Sequence, residues 1–313
     1  MTEKFKIHAA TRVGVTPLIG LYSESGCGKT YSSLLLARGL AGPDGKIVML
    51  DTESGRGSLY ADVIPGGYDV VDLEAPYNPG RYREAIDFAR SQKPAVIIVD
   101  SMSHEWEGVG GVLDMAGENE ARSGKPGLHN WKTPKMEHTK LMLELLRCNV
   151  PMVCCIRAKY KSRQIKDDKG RTAIVKDDHT SPIQSEDFIF EMTAHAEIMQ
   201  DHSVHVTKCS HPDLRACFPV KGKPITVEHG EALAAWCAAG AAPRFDKDGW
   251  LAVCKADVRL QDAIKALEWT TKTVRELWKT TAGDAATFAA NIKTAHAKAF
   301  DAPQDDEELP LEG

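Results

Sequence analysis

Between residues 17 and about 159, short unbroken apolar runs alternate with segments whose apolar residues recur every three to four positions. "TPLIGLYS", "KIVMLDTE" (46–53), "YDVVDLE" (68–74), "PAVIIVDS" (94–101) and "VPMVCCIRA" are the runs. "TYSSLLLARGL", which Gly42-Pro43 ends, "PGRYREAIDFARSQ" and "PKMEHTKLMLELLRC" carry the helical spacing. Strands that are apolar at every position are covered on both faces, so the pattern predicts an α/β fold with a mostly parallel sheet between helices.

From 160 to 220 the character changes. "YKSRQIKDDKGRTAIVKDD" has a hairpin signal at Asp168-Lys169-Gly170, and "DFIFEMTAHAEIMQ" and "SVHVTKCS" read as antiparallel strands at the end of the sheet. After Pro224 the spacing is helical again. The expected division is a core over 1–224, a small helical region over 225–300, and a disordered tail over 301–313 with six acids and no base.

Chemistry enters at "SESGCGKT", Ser23 to Thr30, between the first strand and the first helix. A phosphate-binding loop needs small residues so that backbone N–H groups can face the phosphates. It also needs a lysine for the β- and γ-phosphates and a hydroxyl for Mg²⁺. Gly26, Gly28, Lys29 and Thr30 supply these parts; Ser23 stands where the pattern has its first glycine. The expected nucleotide-contacting stretch is Ser23, Glu24, Ser25, Gly26, Cys27, Gly28, Lys29, Thr30 and Tyr31, with ATP and Mg²⁺ as cofactors.

Two further strands end in acids. Asp100 closes "AVIIVD", where a carboxylate holds Mg²⁺ through water together with Thr30, or else caps a turn. Glu53 closes "VMLDTE". Strand ends in such sheets face the ligand crevice, and a carboxylate there can orient the attacking water. Asp51, two residues earlier on the same strand face, is the rival, and an ion pair with a nearby base is the plainer reading of Glu53.

Composition narrows the setting. The 313 residues are 42% hydrophobic and 27% charged, which suits a globular chain long enough for a full core and an appendage. A net charge of -5 excludes a surface that is basic all over but leaves room for a local basic groove. Eight scattered cysteines, two of them adjacent at Cys154-Cys155 in an apolar run, suit buried free thiols in a reducing compartment. With no signal-peptide pattern at the N-terminus and no run of membrane-span length, the expected location is the cytoplasm. His202, His205, Cys209 and His211 do not suit zinc, because positions 202 and 205 face opposite ways on a strand.

A phosphate loop, then a strand ending Asp-Thr-Glu, then one ending Val-Asp-Ser, resembles the RecA-like recombinase core. The likeness extends to phage-encoded RecA-like ATPases, including single-strand annealing ones. "LIGLYSESGCGKT", "KIVMLDTESG", "PAVIIVDSMSHEW", "VPMVCCIRAKYK" and "VHVTKCSHPDL" carry it, over about 15–220. The resemblance implies Lys29 and Thr30 on phosphate and Mg²⁺, Glu53 on the water and Asp100 on the metal. It puts Arg157 where the family has a γ-phosphate sensor, usually glutamine; arginine there is a departure, and a DNA contact or an acid partner are its other readings. It also implies that Lys208 reaches a neighbouring subunit's ATP, although Ser210 stands where a second base is common, and an exposed strand lysine is the alternative. A chain encoded by a phage would work in the host bacterial cytosol.

The family binds DNA through loops that correspond here to about 104–132 and 158–181. The second is locally basic: Arg157, Lys159, Lys161, Arg163, Lys166, Lys169, Arg171 and Lys176 stand against four Asp, with Tyr160 among them. Cations beside an aromatic are the composition of single-strand binders, and equally of a solvated hairpin. Trp106 and Trp131 either stack on bases or, more plainly, pack in the core. The tail resembles the acidic tails of single-stranded-DNA-binding proteins, which gives such a protein as a partner, although a solubilising tail is the simpler reading. The expected function is therefore a DNA-stimulated ATPase acting on single-stranded DNA via 157–178 in recombination, annealing or replication. It would be a homo-oligomer with ATP at its subunit interfaces and no membrane contact. Only about 16 residues precede the first strand, which favours annealing or accessory action over full strand exchange. The rival is a KaiC-like regulatory or assembly ATPase acting on a protein partner.

Overall fold

The computed structural model describes residues 15–166, 172–238, 259–266, 277 and 285–295. The tail over 301–313, the turn at Asp168-Lys169-Gly170 and much of 225–300 therefore lie outside the described residues. Two compact units are present, Thr16–Cys237 and a second that holds the residues beyond it.

The larger unit is built on eight strands: β1 (Leu18–Ser23), β2 (Ile47–Asp51), β3 (Asp69–Asp72), β4 (Val96–Asp100), β5 (Met152–Lys166), β6 (Thr172–Pro182), β7 (Ala194–Ile198) and β8 (Val204–Cys209). Their order is β3-β2-β4-β5-β1-β7-β8, with β6 paired to β5. The pairings from β3 to β7 are parallel; β5–β6 and β7–β8 are antiparallel. This is the mixed, mostly parallel α/β sheet expected from the apolar runs. Alternate residues of one strand feed opposite faces: Ile97 and Val99 join one core cluster, while Val96 and Ile98 join the other.

The helices are α1 (Lys29–Ala41), α2 (Pro79–Ser91), α3 (Ser103–Glu107), α4 (Val112–Ser123), α5 (Lys132–Arg147), α6 (Glu186–Glu191), α7 (Pro212–Arg215) and α8 (Val227–Ala238). Helix α1 crosses α8 backbone to backbone. A Cβ on Gly39 would lie 2.0 Å from the Val227 carbonyl oxygen, and one on Gly230 would lie 2.2 Å from that of Leu36. Leu233 is buried in the same core cluster. The helix that begins at Val227 thus packs on the larger unit, which runs on to Cys237, past the expected boundary at 224–225. In the second unit α9 (Arg259–Ala266) and α10 (Ala285–Ala295) pack on each other through the buried Leu260, Ala263, Phe288 and Ile292.

Two local expectations are corrected. Residues 186–191 are helical rather than the start of a strand, because Ser185 caps the helix by accepting from Phe188 N and acids fill the first turn. The stretch 104–132, expected as a loop, is largely the helices α3 and α4 followed by a tight turn over Leu128–Trp131. Within it Trp106 is half-buried with its ring edge-on to His138, and Trp131 is half-buried as well.

Candidate functional site

The loop between β1 and α1 opens the site. Gly26 (φ 87°) and Gly28 (φ 93°) take up left-handed backbone that side chains disfavour, and Gly28 leads directly into the first turn of α1. Ser23, by contrast, ends β1 in ordinary backbone and is buried, its hydroxyl donating to the Glu24 carbonyl at 2.8 Å. The left-handed backbone calls for glycine at 26 and 28 but not at 23. The Lys29 ammonium donates to the carbonyls of Ser23 and Glu24 and to the Ser23 hydroxyl at 3.0–3.2 Å. The free N–H groups of the first turn of α1, together with its dipole, favour an anion here.

The carboxylates gather at the carboxyl ends of β2 and β4. Thr30 Oγ1 donates to Asp100 Oδ2 at 2.5 Å. Burial raises the Asp100 pKa to about 6 against the pull of the Thr30 hydroxyl and Lys29, with Glu53 and Asp51 adding to the rise. Asp51 is spent on structure: its two oxygens accept from Glu53 N at 2.6 Å and Gly57 N at 2.8 Å. Glu53, just beyond the strand, faces the cleft instead.

That cleft has a volume of about 900 Å³. It brings together Gly26, Gly28, Lys29, Thr30, Glu53, Asp100 and Arg157. Ser25 and Tyr31 line it too, whereas Ser23, Glu24 and Cys27 do not. Lys208 is not brought to its own chain's cleft. Its ammonium donates to the carbonyls of Ile189, Phe190 and Met192 at the end of α6, and burial lowers its pKa.

Several lining residues escape a reading of the sequence. Arg56 follows three positions after Glu53, and the "TESGRG" stretch carried that signal. His202, in left-handed backbone at the β7–β8 turn, reaches 175 residues back to pair its Nδ1 with the Cys27 carbonyl at 2.9 Å, so it braces the loop. Thr226, with Pro224 and Ile225, walls the end of the cleft beyond β8. Among the described residues no group of three or more His, Cys, Asp or Glu is arranged to hold a metal ion. No helix among them is long and apolar enough to cross a membrane.

A glycine loop feeding a helix, with acids on two neighbouring strand ends, defines a P-loop NTPase of ATPase type. Residues 17–210 match the model of a family described as an AAA domain, and the chain belongs to that family. No curated protein matches it. Among solved structures it is similar to the assembled ATPase EscN from the type III secretion system of enteropathogenic E. coli, at 15% identity and a TM-score of 0.35. That match covers 88% of this chain and 66% of the other, so this chain spans slightly under two thirds of that ATPase.

Proposed function

We propose that the protein is a RecA-like, phage-type ATPase that works on single-stranded DNA in recombination, annealing or replication. One observation carries this reading: β5 brings Arg157 to the cleft and then runs on, through a register shift between Tyr160 and Ser162, in its pairing with β6. A strand that leaves a phosphate site for a lysine- and arginine-rich hairpin ties nucleotide state to whatever anion the hairpin holds. Of that hairpin, Lys159 is exposed and paired with Glu107 at 3.1 Å, and Tyr160 is half-buried.

The cleft fits magnesium-bound ATP in size and donor set. When bound, the metal neutralises phosphate charge. Thr30 is suited to ligate it and Asp100 to hold it through water. Lys29 exchanges its loop carbonyls for phosphate oxygens. Glu53 accepts a hydrogen bond from the attacking water, and Arg157 and Arg56 balance charge on the terminal phosphate. Leu59, 75% exposed, and Tyr31, 47% exposed, line the open side, an apolar rim that a second copy of the chain would cover. Lys208 could complete a neighbour's site only by giving up its three carbonyls.

The test is ATP turnover with and without single-stranded DNA at low salt, with Lys29→Ala as the inactive control. Stimulation supports the reading. Turnover that ignores DNA, with no DNA binding, would leave a nucleotide-driven protein of the regulatory or assembly kind.

A further inference from the structure

Beyond the expected machinery stands His104, at the start of α3. Its Nδ1 pairs with Thr52 Oγ1 at 2.8 Å, and its Nε2 faces two partners, Arg157 Nη1 at 3.3 Å and Glu53 Oε1 at 4.0 Å. The ring stacks on Tyr77, centroids 4.9 Å apart and 27° from parallel, which holds it in plane while leaving both nitrogens free to change roles. It lies between the two side chains assigned to the water and the terminal phosphate, hydrogen-bonded to Arg157 and 4.0 Å from Glu53.

The imidazole cannot serve both at once while neutral. To accept from the Arg157 guanidinium, Nε2 must carry its lone pair, so the proton sits on Nδ1 and is donated to Thr52 Oγ1. To donate to Glu53, Nε2 must carry the proton, so Nδ1 accepts from the Thr52 hydroxyl. Thr52 is built for either state. Its oxygen accepts from Ser101 N at 2.8 Å throughout, and its proton can go to the Ser101 carbonyl at 3.3 Å or to Nδ1. The Ser101 carbonyl keeps a second donor, the Tyr82 hydroxyl at 2.8 Å, so neither state strands a buried polar atom.

We propose that His104 is a positioning residue that exchanges Arg157 for Glu53 when a terminal phosphate arrives. Resting on the ATPase reading above, the exchange runs as follows. Arg157 turns to the phosphate and releases Nε2; the ring trades its Nδ1 proton for an Nε2 proton through solvent, with no net change in charge. Nε2–H then holds one oxygen of Glu53 and leaves the other for the water. Without phosphate Glu53 lacks that donor, so the device withholds a well-oriented base until substrate is seated.

The charged or titratable groups that face the ring are Glu53 from the end of β2, Arg157 from β5, Glu107 from its own helix and Tyr77 from the segment before α2. Burial holds the His104 pKa below the ordinary histidine range, with Arg157 lowering it further while Glu53 and Glu107 oppose. Accepting from the Arg157 guanidinium requires a neutral ring, and burial favours that form.

The decisive readout is the tautomer. In ¹⁵N-histidine-labelled protein His104 should be an Nδ1–H tautomer alone and an Nε2–H tautomer with a non-hydrolysable Mg-ATP analogue. Arg157→Ala should show Nε2–H without nucleotide. His104→Phe, which keeps the stack on Tyr77, should lower kcat on the order of 10- to 100-fold with KM and nucleotide affinity within about twofold. Thr52→Ser should be near wild type, and Thr52→Val should resemble His104→Phe. An unchanged tautomer on nucleotide binding, or wild-type kcat in His104→Phe, would overturn the proposal. A wild-type protein that binds no Mg-ATP would overturn the ATPase reading instead.

Discussion

Two neighbours on α3 live in opposite worlds. His104 faces two residues of the cleft, Arg157 and Glu53, at 3.3 and 4.0 Å from one nitrogen, its side chain 16% exposed. Glu105 looks away from it and is fully buried. Its carboxylate pairs with His138 Nδ1 at 2.9 Å and accepts from Gln184 Nε2 at 3.0 Å. The chain of bonds continues without a gap: Gln184 Nε2 also donates to the Met102 carbonyl, Gln184 Oε1 accepts from Ser185 N at 2.7 Å, and His138 Nε2 pairs with Ser185 Oγ at 2.8 Å. On the inner side each polar group has a settled partner, which makes a rigid bracket between β4, α5 and the exit of β6. On the cleft side the partners are long and shared, which leaves room for movement. Stiffness on one face of α3 is what makes a small rearrangement on the other reproducible.

The widest separation between the two faces should come from paired substitutions. Glu53→Gln keeps shape and removes the base, so turnover should fall on the order of 10²- to 10⁴-fold with the melting temperature unchanged. Glu105→Ala should do the reverse. It leaves His138 Nδ1 buried without its acceptor and takes from Gln184 Nε2 one of its two acceptors, at a cost of about 3 kcal/mol in unfolding free energy, while nucleotide affinity persists below the melting point. Denaturant unfolding and single-turnover hydrolysis, run on both variants, separate the outcomes. Turnover lost in Glu105→Ala at full stability would mean that the bracket takes part in the chemistry.

Asp100 tests the same division from the cleft side, through pH. Its pKa in the fold, about 6, lies above the ordinary 3.8 because burial disfavours the charge. A raised carboxylate binds its proton more tightly folded than unfolded, so stability from this group rises as pH falls from about 6 to 4 and is flat above. That rise in affinity for the proton corresponds to about 3 kcal/mol at most. Asp100→Asn should therefore stabilise the metal-free protein at pH 7 by about 1–3 kcal/mol, with the gain vanishing near pH 4, while abolishing Mg-ATP hydrolysis. An Asp100→Asn protein less stable than wild type at pH 7 would show that the carboxylate charge is already satisfied by its neighbours.

The difference between the faces also decides what a sequence reader can see. The runs "VMLD", "AVIIVD" and "VCCIRA" declare a buried parallel sheet, since continuous apolarity has few other uses, and strand ends in such a sheet put Glu53 and Asp100 at the crevice. The glycines at 26 and 28 declare the loop for the same local reason. His104 and Glu105 declare nothing. Their partners stand from 33 to 79 residues away in the chain, and no periodicity encodes a bond from Thr52 to His104 or from Gln184 to Glu105. His202, bound to a carbonyl 175 residues earlier, is hidden in the same way. The misjudged strand at 186–191 is different. Ser185 followed by Glu186 and Asp187 is a local start signal for a helix, outweighed in reading by the apolar residues behind it.

Ser185 also yields the smallest expected effect, at the outer end of the bracket. Its hydroxyl has two duties: it accepts from Phe188 N at 3.2 Å as the cap of α6 and pairs with His138 Nε2. Ser185→Ala removes the cap and one of two partners of His138, and the ring keeps Glu105. The serine is half-buried at the mouth of the network, so water can take its place on Nε2. The loss should be about 1 kcal/mol, the ordinary cost of a helix cap, with turnover within about twofold of wild type. A loss of about 3 kcal/mol or more would mean that His138 depends on both partners together and the bracket fails as a unit. A tenfold fall in turnover at ordinary stability would carry more weight, because it would show that the exit of β6, and hence the hairpin, sets the geometry of the cleft through α3.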